Sequence, residues 1–235
     1  MDKITFINKV KEELNIELSN NQVKQFDDYY HLLITWNEKM NLTALTKEED
    51  VYEKHFYDSL LSSKIYDFNN QVICDVGAGA GFPSIPLKIV YPNLKVTIVD
   101  SLNKRITFLN VLINELNLTN VDVIAARAEE FALEHREYYD LVIARAVARL
   151  NILDELCIPM VKVNGSFISL KGKQALDEIK EADQGIKKLN AKLVKYEKYY
   201  LFNDNDVRYL IKYDKFSKTN TKYPRMYAQI KKKPL

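Results

Sequence analysis

Over residues 1–66 apolar side chains recur at helical spacing. Ile4, Ile7, Val10 and Leu14 form one stripe, and Val23, Phe26, Tyr30, Leu33 and Ile34 form a second. Ser19-Asn-Asn-Gln22 and Thr46-Lys-Glu-Glu49 have the spacing of a capping box, in which two polar side chains satisfy free backbone N–H groups at a helix start. The second box opens a helix through Val51, Phe56, Leu60 and Leu61. From residue 71 the texture changes. The short apolar runs QVICDVG, KVTIVD, VDVIAAR, DLVIARA and GSFISLK alternate with the helical patterns IPLKIVYP, NKRITFLNVLINELN, AEEFALEHREY and RLNILDELCIPMVKV. Buried-type strands separated by helices predict an α/β fold, with a mostly parallel sheet covered by helices on both faces. Beyond Lys173 the pattern predicts a helix over about 174–192, two strands in LVKYEKYYLF and RYLIKYDKF, and an extended closing segment in YPRMYAQIKKKPL. The change near residues 66–70 divides the chain into an N-terminal helical cap, 1–66, and an α/β domain, 67–235.

The first strand runs into DVGAGAGFP. Three of the six glycines of the chain, Gly77, Gly79 and Gly81, fall in this one turn. Glycine reaches positive φ and lets a ligand approach the main chain, so a glycine turn between strand and helix predicts a nucleotide-like ligand. The spacing is G-x-G-x-G. Phe82 stands where a dinucleotide fingerprint has its third glycine, and Asp75 would set a carboxylate beside any phosphate. Both features favour a cofactor with an amino group and no phosphates, S-adenosylmethionine (SAM). Asp100 closes the second strand 23 residues after Gly77, at the position that accepts hydrogen bonds from ribose hydroxyls. Its other reading is a helix-capping aspartate. Ala128 and Glu129 follow the third strand, placed for the adenine, with Glu129 equally suited to a helix N-terminus. The fourth strand ends in Arg145-Ala146, with no Pro-Pro-aromatic motif for an amino acceptor and no cysteine nucleophile. That suits an acceptor atom that needs no deprotonation, such as guanine N7. Arginine also pairs with the guanine O6/N7 edge, or with the carboxylate of SAM.

Composition narrows the partners. The chain carries a net charge of only +2, but residues 171–235 hold 17 Lys/Arg against 8 Asp/Glu. A basic end predicts a polyanionic partner, with Arg225, Lys231 and Lys232 as phosphate contacts. The two cysteines, Cys74 and Cys157, lie far apart in apolar runs, and the three histidines are scattered, so neither a disulfide frame nor a metal site is expected. No apolar run reaches the length of a membrane span, and the N-terminus lacks a signal-peptide pattern, so a cytoplasmic protein, monomeric by default, is expected. His55 and Asp58 share a helical face, either as a lid over the cofactor or a guide for a flipped base, or as a local surface pair that packs the two parts together. Trp36 is read as core.

Five motifs, in this order, carry a resemblance: Trp36-Asn37…Asn41-Leu-Thr43, His55-x-x-Asp58-Ser-Leu60, DVGAGAGFPSIPL, Asp140-x-Val-x-x-Arg145-Ala146 and Tyr223-Pro-Arg225. Together the chain resembles the RsmG family, also called GidB, over its whole length. The resemblance implies a Rossmann-like class I SAM-dependent methyltransferase that modifies N7 of one guanine in 16S ribosomal RNA. It also implies SAM contacts at Gly77, Phe82, Ala128, Glu129 and Arg145, with Gly79 in the same turn. Ser84 and Asp100-Ser101 depart from the residues common there, glycine and Glu-Ser, and the carboxylate at 100 is kept. Two other functions fit the residues: a noncatalytic RNA-binding assembly module with a vestigial SAM pocket, and a small-molecule methyltransferase. A full glycine loop weighs against the first and the basic end against the second.

Overall fold

The computed structural model, which describes residues 1–202 and 204–235, forms one seven-stranded sheet. The strands are β1 (Val72–Val76), β2 (Lys95–Asp100), β3 (Val121–Ala125), β4 (Tyr139–Arg145), β5 (Val161–Lys171), β6 (Ala191–Leu201) and β7 (Asp204–Lys215). Their order is β3-β2-β1-β4-β5-β7-β6; β1 to β5 are parallel, and β7 runs antiparallel to both β5 and β6. The order reverses between β1 and β4, and in open α/β sheets a crevice opens at the carboxyl ends of strands at such a point.

Strand periodicity explains the two cores. Ile73, Ile98, Leu141 and Ile143 enter one apolar cluster, while their neighbours Cys74, Val99, Val142 and Ala144 enter the other. Alternate side chains of a strand point to opposite faces, so strands apolar at consecutive positions need cover on both. One face is covered by α5 (Ser84–Val90), α6 (Asn103–Glu115) and the N-terminal helices. The other is covered by α7 (Ala128–Glu134), α8 (Leu150–Cys157), α9 (Ala175–Lys188) and α10 (Tyr227–Lys232).

The N-terminal helices are α1 (Lys3–Leu14), α2 (Asn20–Met40), α3 (Glu48–Val51) and α4 (Asp58–Leu60), the last two joined by the wider π-helical turn Tyr52–Tyr57. The Ser19–Gln22 capping box forms with both bonds present. The expected Thr46–Glu49 box does not, because α3 starts after Lys47, one residue too late for Thr46 to cap it. The buried stripes also turn. Ile4 is exposed while Phe6 and Val10 are buried, and Tyr29 is buried where Tyr30 was expected. An aromatic cluster accounts for the change: Phe6 meets Phe26 at 5.0 Å and Tyr52 at 5.3 Å, and Phe56 meets Tyr29 at 5.0 Å. Aromatic contacts of this kind stabilise beyond simple area burial.

These helices and the sheet share one apolar core. Gln22 and Gln25 donate from α2 to the carbonyls of Ile89 and Leu116, and Trp36 lies 5.9 Å from Phe108 of α6. At the other end, the segment expected to be extended is the short helix α10. Tyr227 and Ile230 stand one helical turn apart and Ile230 is fully buried, which a strand register would not allow.

Candidate functional site

The glycine turn opens a cavity of about 510 Å³ at the carboxyl ends of β1, β2 and β4. Its glycines serve different needs. All three have positive φ. A Cβ on Gly81 would lie 2.7 Å from Tyr29 Oη and 2.8 Å from Ile85 Cγ1, and one on Gly77 would lie 2.8 Å from a Val147 methyl. A Cβ on Gly79 would meet nothing within 4 Å. Gly77 and Gly81 are therefore held by packing, whereas Gly79 keeps space clear over the cavity. From α2, Tyr29 Oη donates to the Ala80 carbonyl at 2.5 Å, so an N-terminal helix fixes the turn directly.

Asp75, beneath the turn, is fully buried. Its Oδ2 accepts from Ser84 N at 3.0 Å, capping α5, while Oδ1 has no partner. Burial pushes its carboxyl up to about 6, against the pull of the Ser84 hydrogen bonds and the Arg145 charge. Asp100 lines the cavity and is nearly buried. Its Oδ1 accepts from Leu102 N at 3.0 Å, and its Oδ2 from Gly79 N at 3.3 Å and from Arg105 at 3.0 Å. A carboxylate has about four acceptor positions, so Asp100 keeps one open beside the three in use. Ala128 and Glu129 stand at the start of α7 on the cavity wall, Glu129 buried and 3.9 Å from Arg127.

Phe82 lies between the turn and the helices, 5.3 Å from Tyr29 and stacked on the His55 ring at 4.3 Å. Arg145, at the end of β4, lies over the Phe82 ring, 5.0 Å from its centre. Its guanidinium donates to the Lys54 carbonyl at 3.1 Å, to Asp58 Oδ2 at 3.0 Å and to His55 Nδ1 at 3.0 Å. Arginine has no acceptor, so Nδ1 must carry the lone pair and the His55 proton sits on Nε2, donated to Thr43 Oγ1 at 2.8 Å. Burial first, and the Arg145 charge next, hold His55 well below its usual range, so the imidazole is neutral. Asp58 is 1% exposed and also accepts from Tyr199 Oη at 2.6 Å. His55 and Asp58 are thus not a surface pair. The π turn places both against Arg145, and such turns concentrate at functional sites.

Ala146 follows with φ 54°, a left-handed conformation that costs a residue with a Cβ about 1 kcal/mol.

Cys74 is fully buried and burial drives its thiol well above the ordinary range, in keeping with a core role. Arg225, expected on phosphate, is instead committed to a buried carboxylate: its backbone N, Nε and Nη2 all donate to Glu155, at 2.9, 2.8 and 2.6 Å. Glu155 is 0% exposed and requires a cation beside it, which local sequence cannot reveal. Lys231 and Lys232 are exposed on α10. Tyr227 of that helix lines the cavity, as do Leu42, Thr43 and Arg105. None of these four was a candidate from sequence; the available signals were the Trp36–Thr43 motif, which holds Leu42 and Thr43, and the helical spacing of Tyr227 and Ile230. Among the described residues, no three His, Cys, Asp or Glu side chains gather as a metal site and no helix is long and apolar enough to cross a membrane.

The family model described as rRNA small subunit methyltransferase G, GidB, matches residues 22–202. The chain is 54% identical over 237 residues to the ribosomal RNA small subunit methyltransferase G of Staphylococcus haemolyticus, covering 100% of this chain and 99% of that one. It is 50% identical over 238 residues to the protein of the same name from Lysinibacillus sphaericus, with 100% of both covered. Among solved structures, a SAM dependent methyltransferase from Aquifex aeolicus superposes with a TM-score of 0.56 at 16% identity, covering 74% of this chain and 96% of the other. A precorrin-6y C5,15-methyltransferase from Geobacter metallireducens superposes with a TM-score of 0.52 at 17% identity, covering 76% and 91%. At these identities the structural matches concern the fold, which is that of class I SAM-dependent methyltransferases.

Proposed function

Since the chain belongs to the rRNA small subunit methyltransferase G family, GidB, we propose that it transfers a methyl group from SAM to N7 of a guanine in 16S ribosomal RNA, in the cytoplasm where small subunits are assembled. The observation that carries the chemistry is the neutral, fully engaged His55 beside Arg145. Among the described residues the site offers no general base at the end of β4, and N7 of guanine, whose lone pair is free at neutral pH, needs none.

The cavity fits SAM. Gly79 leaves room over the turn, Asp100 keeps an acceptor for the ribose, and Ala128 and Glu129 flank the place for the adenine. When bound, SAM supplies a methyl already activated on a sulfonium, so the protein's task is positioning and exclusion of water. Arg145, locked by Asp58, His55 and the Lys54 carbonyl, holds a fixed cation at the carboxyl end of β4. It can donate to guanine O6 while leaving N7 free to attack. In this reading the helices of 1–66 belong to the site as much as the sheet of 67–235, because Thr43, His55 and Tyr29 hold the loop and the arginine. Lys231 and Lys232 contact phosphate, and Arg225 acts through Glu155 as a structural cation.

The test is methyl transfer from labelled SAM to small-subunit RNA and to assembled subunits from cells lacking the protein, followed by nucleoside analysis. Label in 7-methylguanosine at one site is expected, with a rate flat across pH 6 to 9. Label in another nucleoside, or a rate that titrates as a base would, overturns the assignment of N7.

A further inference from the structure

A second cavity, about 460 Å³, lies against the first and shares His55, Arg145 and Ala146 with it. Its size is that of a ligand pocket. It is more strongly basic than the cofactor cavity, where Asp100 and Glu129 are set against Arg105, Arg127 and Arg145. Among the described residues, Lys54, Arg145, Lys171, Lys173 and Arg208 line the second cavity with a single carboxylate, Asp58, which is already bonded to Arg145 and Tyr199. Between the charges stand the apolar Leu45, Leu170 and Val207. Lys171 is held by Glu178 at 2.9 Å, whereas Lys173 is exposed and makes no ion pair among the described residues. A cavity with apolar side chains among cations, and with an uncommitted lysine in its lining, suits an anionic nucleotide with its base inside and its phosphate outside.

The common wall is the second observation. Ala146 has one methyl for a side chain, is exposed, and takes the left-handed turn directly after Arg145. A larger side chain would stand between the two cavities. The loop after α2 spans both as well, with Leu42 and Thr43 on the first and Leu45 on the second.

We propose that this second cavity receives the acceptor guanosine, turned out of its RNA strand, with Lys173 on its phosphate and its N7 facing the cofactor cavity across Ala146. The proposal rests on the function proposed above and names the place where the acceptor of that reaction sits. Reading a nucleotide turned out of its strand requires a pocket with apolar faces and polar rims, which Leu45, Leu170 and Val207 provide beside Arg145 and Lys173.

The test fills the cavity. Val207→Trp is expected to leave SAM affinity, read by calorimetry, unchanged and to slow formation of 7-methylguanosine by on the order of 100-fold. Leu45→Trp fills the same cavity from a loop and is expected to do the same, which keeps the test decisive if the strand variant folds poorly. Lys173→Ala is expected to lower the salt dependence of RNA binding by about one ion and to leave SAM affinity alone. Full methyl transfer by both tryptophan variants overturns the proposal, as does loss of SAM affinity in both, which would make the space part of the cofactor site. If the wild-type protein forms no 7-methylguanosine, it is the function reading that has failed, and this assignment falls with it. A wild-type protein that does form it, with variants that do too, removes the cavity assignment alone.

Discussion

The two cavities on either side of Arg145 are built from different materials. The cofactor cavity is built largely on backbone: a turn of three glycines with positive φ, the ends of β1 and β2, and the start of α7, with Asp100 and Glu129 as its carboxylates and Arg105, Arg127 and Arg145 as its cations. The second cavity is mainly side chains, basic ones set among apolar ones, drawn from a loop, a π turn, two strand ends and the β6–β7 pair. A backbone cradle is intolerant of an added carbon but indifferent to charge. A side-chain cavity tolerates shape and depends on charge. That contrast can be tested at several strengths.

The largest effect is expected where the cradle is packed hardest. Gly81→Ala places a Cβ against Tyr29 and Ile85 at positive φ and should cost roughly 4 kcal/mol of stability, read as a fall in the urea midpoint. Gly79→Ala, in open space, should cost only about 1 kcal/mol while still weakening SAM binding. Equal losses of stability would erase the distinction between a packed and a cleared glycine.

Next comes the charge beneath the cradle. Burial raises Asp75 from its ordinary 3.8 to about 6, so between these values the folded protein keeps a proton that the unfolded chain has released. Stability contributed at this site therefore falls as pH rises through that window. Asp75→Asn removes the dependence, and relative to wild type the variant should gain about 3 kcal/mol between pH 4 and pH 6 and little more above it. A difference independent of pH would mean that the carboxyl is not protonated in the fold.

Smaller effects separate the two cavities by ligand. Asp100→Ala should weaken SAM binding roughly 10-fold with RNA binding intact, in line with the loss of charge-assisted hydrogen bonds. Unchanged SAM affinity would remove Asp100 from the ribose. Smallest of all, Lys231→Ala with Lys232→Ala should weaken RNA binding about threefold at moderate salt and reduce its salt slope by up to two ions, leaving SAM binding as it was.

The same contrast explains what could be read in the chain before folding. The cofactor cavity was legible because its parts are contiguous: Gly77 to Phe82, Asp100 at a strand end, Ala128 and Glu129 after another. The strands were legible too, since burial on both faces writes continuous apolar runs. The second cavity was not, because its residues come in short pieces from separate places between positions 45 and 208, and neither His55-x-x-Asp58 nor Arg145-Ala146 tells which other pieces the fold brings beside it. Tyr29 was missed in favour of Tyr30 because helical periodicity leaves the buried face uncertain by one residue, and the aromatic cluster decided it. The Glu155 partner of Arg225 was not legible because a basic residue near a basic tail gives no sign of a buried carboxylate seventy residues away in sequence. The closing segment was taken as extended because its helix is only six residues long and is held by one buried isoleucine.

The seam between the N-terminal helices and the sheet carries the only tryptophan of the chain, Trp36, against Phe108. It sits on the helix whose Tyr29 secures the glycine turn, and just ahead of the loop whose Leu42 and Thr43 close on the cofactor cavity. The molecule therefore has a single indole, which can be excited apart from its tyrosines, at the joint on which its cofactor site depends. A shift of its emission to longer wavelength would signal the helices lifting from the sheet, with no label attached, and a stopped-flow trace of that one signal would time the motion.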